Sequence, residues 1–259
     1  MTDAPLQPTA AAAEPTDIAL YLVAIPIGND GDLSPRATRL LLEAKFVIGE
    51  EFRPLTTLLK RIGRPRTMPN LRANPPEGAD LEVLNEHSKP DDVKALADRV
   101  IAIHKAGGFT ALMSDCGTPG FCDPGAPLVA ELRRRGYKSS AAPGASAIMC
   151  LLSLAGARLD QFLFRGFLPA SREERDAALK ELVRESRAVI VMDTPYRLEK
   201  LLAELAGVMP SRLATLGCDF TSVTEVTMQG TLSDLAMKWS ARPADQRKAE
   251  FMILLHAVK

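Results

Sequence analysis

The chain has 259 residues, 46% of them hydrophobic and 25% charged, enough for one large or two modest globular domains. Its 32 basic and 32 acidic residues cancel to a net charge of zero, which excludes a polycation. No apolar run reaches the roughly 18 residues needed to cross a bilayer, and no basic stretch with an apolar core opens the chain, so a cytoplasmic protein without membrane association is expected.

Residues 1–17 are rich in Ala, Pro and Thr and lack large apolar groups, so they read as a disordered tail. Residues 18–25 are an apolar run of strand length. After the turn 26–32, Ser34 followed by Pro35 signals a helix start, with a capping hydroxyl and then proline at the first helical position. Leu40, Leu41 and Ala44 carry that helix's apolar face, and a strand over 46–49 follows. This order suggests a βαβ unit with a parallel sheet. The rhythm recurs as a helix over 90–106 stopped by Gly107 and Gly108, a strand over 109–113, a helix near 128–135 ended by Gly136, and a strand over 137–142.

Past Pro143 and Gly144 the rhythm changes. A helix over 145–155 precedes a strand at 162–167, a helix at 171–186, a strand at 188–193, a helix at 195–205 and a strand at 212–219. A strand over 224–230, a short helix over 232–239 and a strand over 250–256 complete the chain. The expected class is α/β, with one α/β domain over 18–142 and a second over 143–259 whose last strands are antiparallel.

Cys116, Cys122, Cys150 and Cys218 have no CxxC spacing and no accompanying His pattern, so reduced thiols and no metal site are expected. Residues 52–76 contain no acidic residue but six basic ones: Arg53, Lys60, Arg61, Arg64, Arg66 and Arg72. Such a patch can hold a polyanion on a neutral protein, and a solvated basic loop is equally compatible with it.

Three loops that follow expected strands are rich in Gly, Pro and small polar residues: 26–32, 114–125 and 143–147. In an open α/β sheet, ligands gather beyond the carboxyl ends of the strands, and glycine lets backbone groups approach them. Neither GxGxxG nor GxxxxGK[ST] is present, so these loops are not a dinucleotide fingerprint or a phosphate loop. On residue chemistry alone they indicate a small-molecule site or a set of tight structural turns. The Ser114-Asp115 pair directly after a buried strand favours the site.

The motifs Pro-Ile-Gly-Asn with Asp-x-Ser-x-Arg-Ala at 26–37, Ser-Asp-x-Gly-Thr-Pro with Asp-Pro-Gly at 114–125, and Pro-Gly-x-Ser at 143–146 resemble the tetrapyrrole methylase superfamily. Together with Gly-Phe-Leu-Pro at 166–169, they look most like the branch that holds ribosomal RNA small subunit methyltransferase I. The resemblance implies two α/β domains with S-adenosylmethionine in the cleft between them, a homodimer, and 2′-O-methylation of a cytidine in 16S rRNA. It also implies cofactor contacts from Ile27, Gly28 and Asn29, from Ser114, Asp115, Cys116 and Thr118, from Ser146 and Ala147, and from Met192.

Four segments depart from that branch. Glu-Asp-Thr-Arg becomes Glu50, Glu51, Phe52 and Arg53, and His-Glu-His-Asn becomes Asn85, Glu86, His87 and Ser88. Glu-Ser-x-His-Arg becomes Asp193, Thr194, Pro195, Tyr196 and Arg197, and Arg-Glu-Leu-Thr-Lys becomes Cys218, Asp219, Phe220, Thr221 and Ser222. These segments are expected to face the acceptor. A ribose hydroxyl needs a proton acceptor, for which Glu51 and His87 are the candidates, while His104 and His256 read as structural. Arg53 and Arg197 are candidate phosphate contacts to the small ribosomal subunit RNA. Two other readings stay open: a methyltransferase of this fold with a small, tetrapyrrole-like acceptor, and a cofactor-binding protein without catalysis.

Overall fold

The computed structural model describes residues 14–64 and 80–258. The chain forms two compact units: one holds residues up to Pro26 together with Asp30–Ala145, the other Ile27–Asn29 with Ser146–Lys259.

The first unit runs β1 (Ile18–Val23), α1 (Pro35–Glu43), β2 (Phe46–Gly49), α2 (Phe52–Arg61), β3 (Leu81–Val83), α3 (Pro90–Lys105), β4 (Thr110–Leu112), α4 (Gly125–Arg134) and β5 (Lys138–Ala142). Its strands lie in the order β3-β2-β4-β1-β5, and every pairing is parallel. The inner strands β1, β2 and β4 are covered on both faces, which is why they are largely apolar, whereas the edge strand β5 reads Lys-Ser-Ser-Ala-Ala. Tyr21, Val23 and Val47 pack with α1 and α2 through Leu40, Leu41, Leu55 and Leu59. Leu20, Phe46 and Ile48 pack with α3 and α4 through Leu96, Val100, Leu128 and Leu132.

The helix signals act as their chemistry requires. Ser34 Oγ accepts the Ala37 N–H at 3.0 Å ahead of Pro35. Asp92 accepts the Lys89 N–H at 2.7 Å to start α3, and Gly107, at φ +81°, lets the chain leave it. α2 and β3 had no counterpart in the sequence reading, although Leu55, Leu58 and Leu59 lie at helical spacing and are all buried.

The expected tail over 1–17 is only partly within view. Residues 1–13 lie outside the described residues, but 14–17 are held in place. Glu14 pairs with Arg36 and Arg39, each at 2.7 Å, and Asp17 pairs with Lys138 at 2.6 Å. Two charges in a polar stretch found partners that composition does not reveal.

The second unit contains α5 (Ala147–Leu154), β6 (Phe162–Phe167), α6 (Arg172–Arg184), β7 (Ala188–Met192), α7 (Leu198–Val208), β8 (Leu213–Cys218), β9 (Val226–Thr231), α8 (Leu232–Ser240) and β10 (Phe251–Leu255). The sheet order is β6-β7-β10-β8-β9, with β6 and β7 parallel and the other pairs antiparallel. α6, α7 and α8 cover one face, burying Leu182, Leu201, Leu205 and Trp239 on Val189, Leu216 and Ile253. α5 covers the other through Leu151, against Ile190, Leu254 and Phe220. The helix expected from 195 begins as a 3-10 turn, Pro195–Arg197, before α7.

A buried ion network lies under that turn. Arg175 donates to Asp193 at 3.1 Å, to Glu204 at 2.7 Å and to the Pro169 carbonyl at 3.2 Å. It thereby joins the Gly-Phe-Leu-Pro segment to the start of the Asp193–Arg197 segment.

Candidate active site

In the first unit the loops after β1, β2, β4 and β5 gather at the carboxyl edge of the sheet, where a doubly wound sheet binds its ligands. They are tied together chiefly by backbone groups. Ile25 and Gly117 exchange N–H···O bonds of 2.9 and 3.1 Å, joining the loop after β1 to that after β4. Thr118 Oγ1 donates to the Ala145 carbonyl at 3.1 Å, which brings in the loop after β5. Ser114 Oγ donates to the Cys116 carbonyl at 2.9 Å. Asp123 accepts the N–H groups of Gly120 at 2.5 Å and Gly125 at 2.8 Å, fixing the loop at the start of α4. Ser114, Asp115, Cys116 and Thr118 are thus all on one braced loop.

β2 contributes a reciprocal brace. Glu50 accepts the Asp115 N–H at 3.3 Å, and Asp115 Oδ1 accepts the Glu51 N–H at 3.0 Å. Burial raises both the Glu50 and the Asp115 carboxyl above their ordinary values, with the neighbouring acidic charges adding to the rise. The sequence reading selected Glu51, whose side chain is exposed. Glu50 is the carboxylate that faces the Asp115 loop, and it was missed. Both follow the end of β2 at Gly49, and Glu51 is the residue before α2, so no strand or helix period in the sequence separated them.

In the second unit Ile27 and Ala147 pack on the same cluster around Leu151 and Leu254. Gly28 lies against the turn after β8: a Cβ there would stand 2.4 Å from the Phe220 carbonyl oxygen and 3.1 Å from the Ser222 nitrogen. Only glycine allows so close a backbone approach. The turn itself is unusual, with Asp219 at φ +47° and Thr221 at φ +65°. It is pinned by the Thr221 N–H donating to Glu225 at 2.6 Å and by the Glu250 N–H donating to Asp219 at 2.9 Å. Ser146 is the residue before α5, and half-buried Met192 ends β7. Ile27, Gly28, Asn29, Ser146, Ala147 and Met192 therefore all belong to the second unit.

A model of the tetrapyrrole (corrin/porphyrin) methylases matches residues 19–236. The chain belongs to the tetrapyrrole methylase family. It is accordingly a methyltransferase. Ribosomal RNA small subunit methyltransferase I of Xylella fastidiosa is 35% identical over 237 residues, spanning 91% of this chain and 80% of that protein. The protein of the same name from Neisseria meningitidis is 32% identical, spanning 92% of this chain and 75% of its own length. Among solved structures, the methyltransferase CobJ aligns with a TM-score of 0.58 at 18% identity, covering 92% of this chain and 93% of that one. Uroporphyrin-III C-methyltransferase of Thermus thermophilus aligns with a TM-score of 0.54 at 17% identity and the same coverages. These two share the fold.

The remaining candidates occupy distinct places in this tetrapyrrole methylase. His87 is exposed in the turn after β3, where its N–H donates to Asn85 Oδ1 at 3.0 Å. Arg53 stands in the first turn of α2 and borders a cavity of about 280 Å³. Arg197, in the second unit, lies 3.8 Å from Asp193, which is buried and committed to Arg175.

The basic stretch divides by role. Arg66 and Arg72 lie outside the described residues. Arg64 is buried and donates to the last carbonyls of α1, including Ala44 at 2.9 Å, and pairs with Asp80 at 3.2 Å, so it caps a helix. His104 packs edge-on to Tyr137, and His256 Nε2 lies 2.9 Å from Thr215 Oγ1, both structural settings. Among the described residues no cluster of His, Cys, Asp and Glu could hold a metal ion. No helix among them is long and apolar enough to cross a membrane.

Proposed function

We propose that the protein is a cytoplasmic, homodimeric enzyme that methylates the 2′-hydroxyl of a cytidine in small-subunit ribosomal RNA, using S-adenosylmethionine. The observation that carries this reading is the braced Ser114–Thr118 loop, with the carboxylates of Glu50 and Asp115, at the carboxyl edge of the sheet. The names of its relatives supply the acceptor class.

The donor set suits the cofactor. S-adenosylmethionine carries a sulfonium and an ammonium, and Glu50 and Asp115 present negative charge. Asp115 spends Oδ1 on the Glu51 N–H, which leaves Oδ2 for a ligand hydroxyl. Cys116 and Thr118 would add contacts from the same loop. Ile27, Gly28, Asn29, Ser146, Ala147 and Met192 are the further candidate contacts. When bound, the cofactor supplies an electrophilic methyl group on positively charged sulfur.

The chain then aligns an acceptor hydroxyl with that methyl, a positioning effect worth up to ~7–11 kcal/mol in favourable cases. Glu51 and His87, both exposed, are the groups open to a large acceptor and able to take the hydroxyl proton. Arg53 and Arg197 would hold backbone phosphates. Glu51→Gln and His87→Gln separate the two candidates: the variant that removes the working base should lose about 10²–10⁴-fold in kcat.

Two measurements test the whole reading. Calorimetry should show S-adenosylmethionine binding, and purified small subunits should accept labelled methyl groups at a cytidine 2′-oxygen. Folded protein that binds no cofactor refutes the cofactor assignment. An unchanged 2′-O-methyl map of 16S rRNA on gene deletion refutes the acceptor assignment.

A further inference from the structure

We propose that the cavity bordered by Arg53 and Arg61 receives a backbone phosphodiester of the acceptor RNA, and that Asp30 closes this site in the ligand-free protein. The inference rests on the RNA reading above and adds to it a site and a latch.

The cavity, about 280 Å³, is bordered by Ile25, Pro26 and Asp30 on one side and by Arg53 and Arg61 of α2 on the other, with Asp115 at its edge. It therefore adjoins both the end of β1 and the braced loop of the candidate site. Arg61 is engaged by Asp30 through two bonds from one guanidinium nitrogen, at 2.8 and 2.9 Å. The pair is solvated, its side chains 58% and 71% exposed, and exposed pairs of this kind contribute little.

A phosphodiester presents two non-bridging oxygens that share one negative charge, and a guanidinium grips them as it grips a carboxylate. It would take Arg61 from Asp30 at small cost and meet Arg53 as a second guanidinium. Without RNA, two carboxylates balance two guanidiniums around the cavity, so simple anions are drawn in only weakly. Asp30 is also the residue directly after Ile27–Asn29, so its release alters the anchor of the first candidate cofactor loop.

The test uses the full chain and a labelled single-stranded oligoribonucleotide, with fluorescence anisotropy read between about 50 and about 200 mM salt. Asp30→Asn, Arg61→Gln and the double variant are compared with the wild type, after circular dichroism has verified each fold. Asp30→Asn should bind more tightly, by up to about fivefold, the most that an exposed pair withholds. Arg61→Gln should bind more weakly and reduce the salt slope by about 0.7, one phosphate contact to a single strand. In the double variant the Asp30→Asn gain should vanish, because no latched arginine remains to be released.

A gain that persists without Arg61, or a salt slope that Arg61→Gln leaves unchanged, overturns the latch while the RNA reading stands. A wild-type protein that neither binds nor methylates RNA overturns that reading and the latch with it.

Discussion

Glu50 and Asp115 share one electrostatic problem: each carboxylate is partly stripped of water, and each lies near further negative charge. Their values in the fold are raised, so the folded chain favours their protonated forms more than the unfolded chain does. The resulting stability is present below the ordinary carboxylate range and is lost as pH rises through the raised values. Glu50→Gln keeps an acceptor oxygen for the Asp115 N–H but removes a charge. It should melt about 1–3 °C above the wild type at pH 7, since partial solvation keeps the effect below about 1 kcal/mol. The difference should shrink towards zero as the pH falls to about 4.5, the unperturbed glutamate value. Thermal melts across that window check it, and an equal advantage at both ends would contradict the burial argument.

That glutamate also marks how far the sequence could be read at this scale. The motif placed Glu50 and Glu51 together, and Asp115 was named from its loop. Which carboxylate turns towards Asp115 is decided in the short turn between β2 and α2, where neither a strand nor a helix period applies.

Among the elements, the regular ones were the most legible. The N-cap at Ser34, the stop at Gly107 and the apolar strands follow from local chemistry and hydrophobic period, and each is met in the fold. α2 was overlooked because its leucines alternate with Arg, Thr and Lys in a stretch read for charge. β3 has only three residues, too few to show a period. The turn after β8 was read as an altered motif, and its backbone packing against Gly28 could not be read from it. Gly28→Ala would drive a Cβ to 2.4 Å from a carbonyl oxygen that is itself part of a pinned turn. Overpacking of this kind costs about 1–3 kcal/mol. Cofactor affinity measured by calorimetry should fall at least about tenfold, the equivalent of 1.4 kcal/mol. Gly207→Ala, in α7 with nothing within 4 Å of the added Cβ, is the matched control. It should bind the cofactor normally and gain up to about 1 kcal/mol of stability from the better helix former.

For the whole molecule, each unit has its own apolar clusters, and the second also depends on the Arg175 network. Arg175→Met would leave buried Asp193 without its hydrogen-bonded cation, with only the exposed Arg197 at 3.8 Å. Breaking such a pair costs about 3–5 kcal/mol. Differential scanning calorimetry should show one transition moved down by roughly 6–20 °C and a second left in place. A single transition that shifts as a whole would mean that the two units unfold as one. The boundary shows where sequence rhythm ends. The rhythm changes after residue 142, but the chain passes to the second unit between Ala145 and Ser146. The earlier departure of Ile27–Asn29 leaves no trace in composition or period, because three residues carry no pattern.

Those three residues also limit how the protein can be divided. A fragment ending at Ala145 would contain Gly28 but not the Phe220–Ser222 backbone on which it rests. A fragment beginning at Ser146 would contain the seat without its occupant. Neither piece inherits a complete first loop, so gene splitting, modular exchange with a relative or expression of a minimal half breaks the same stitch. At this point the two parts of the chain must be inherited together.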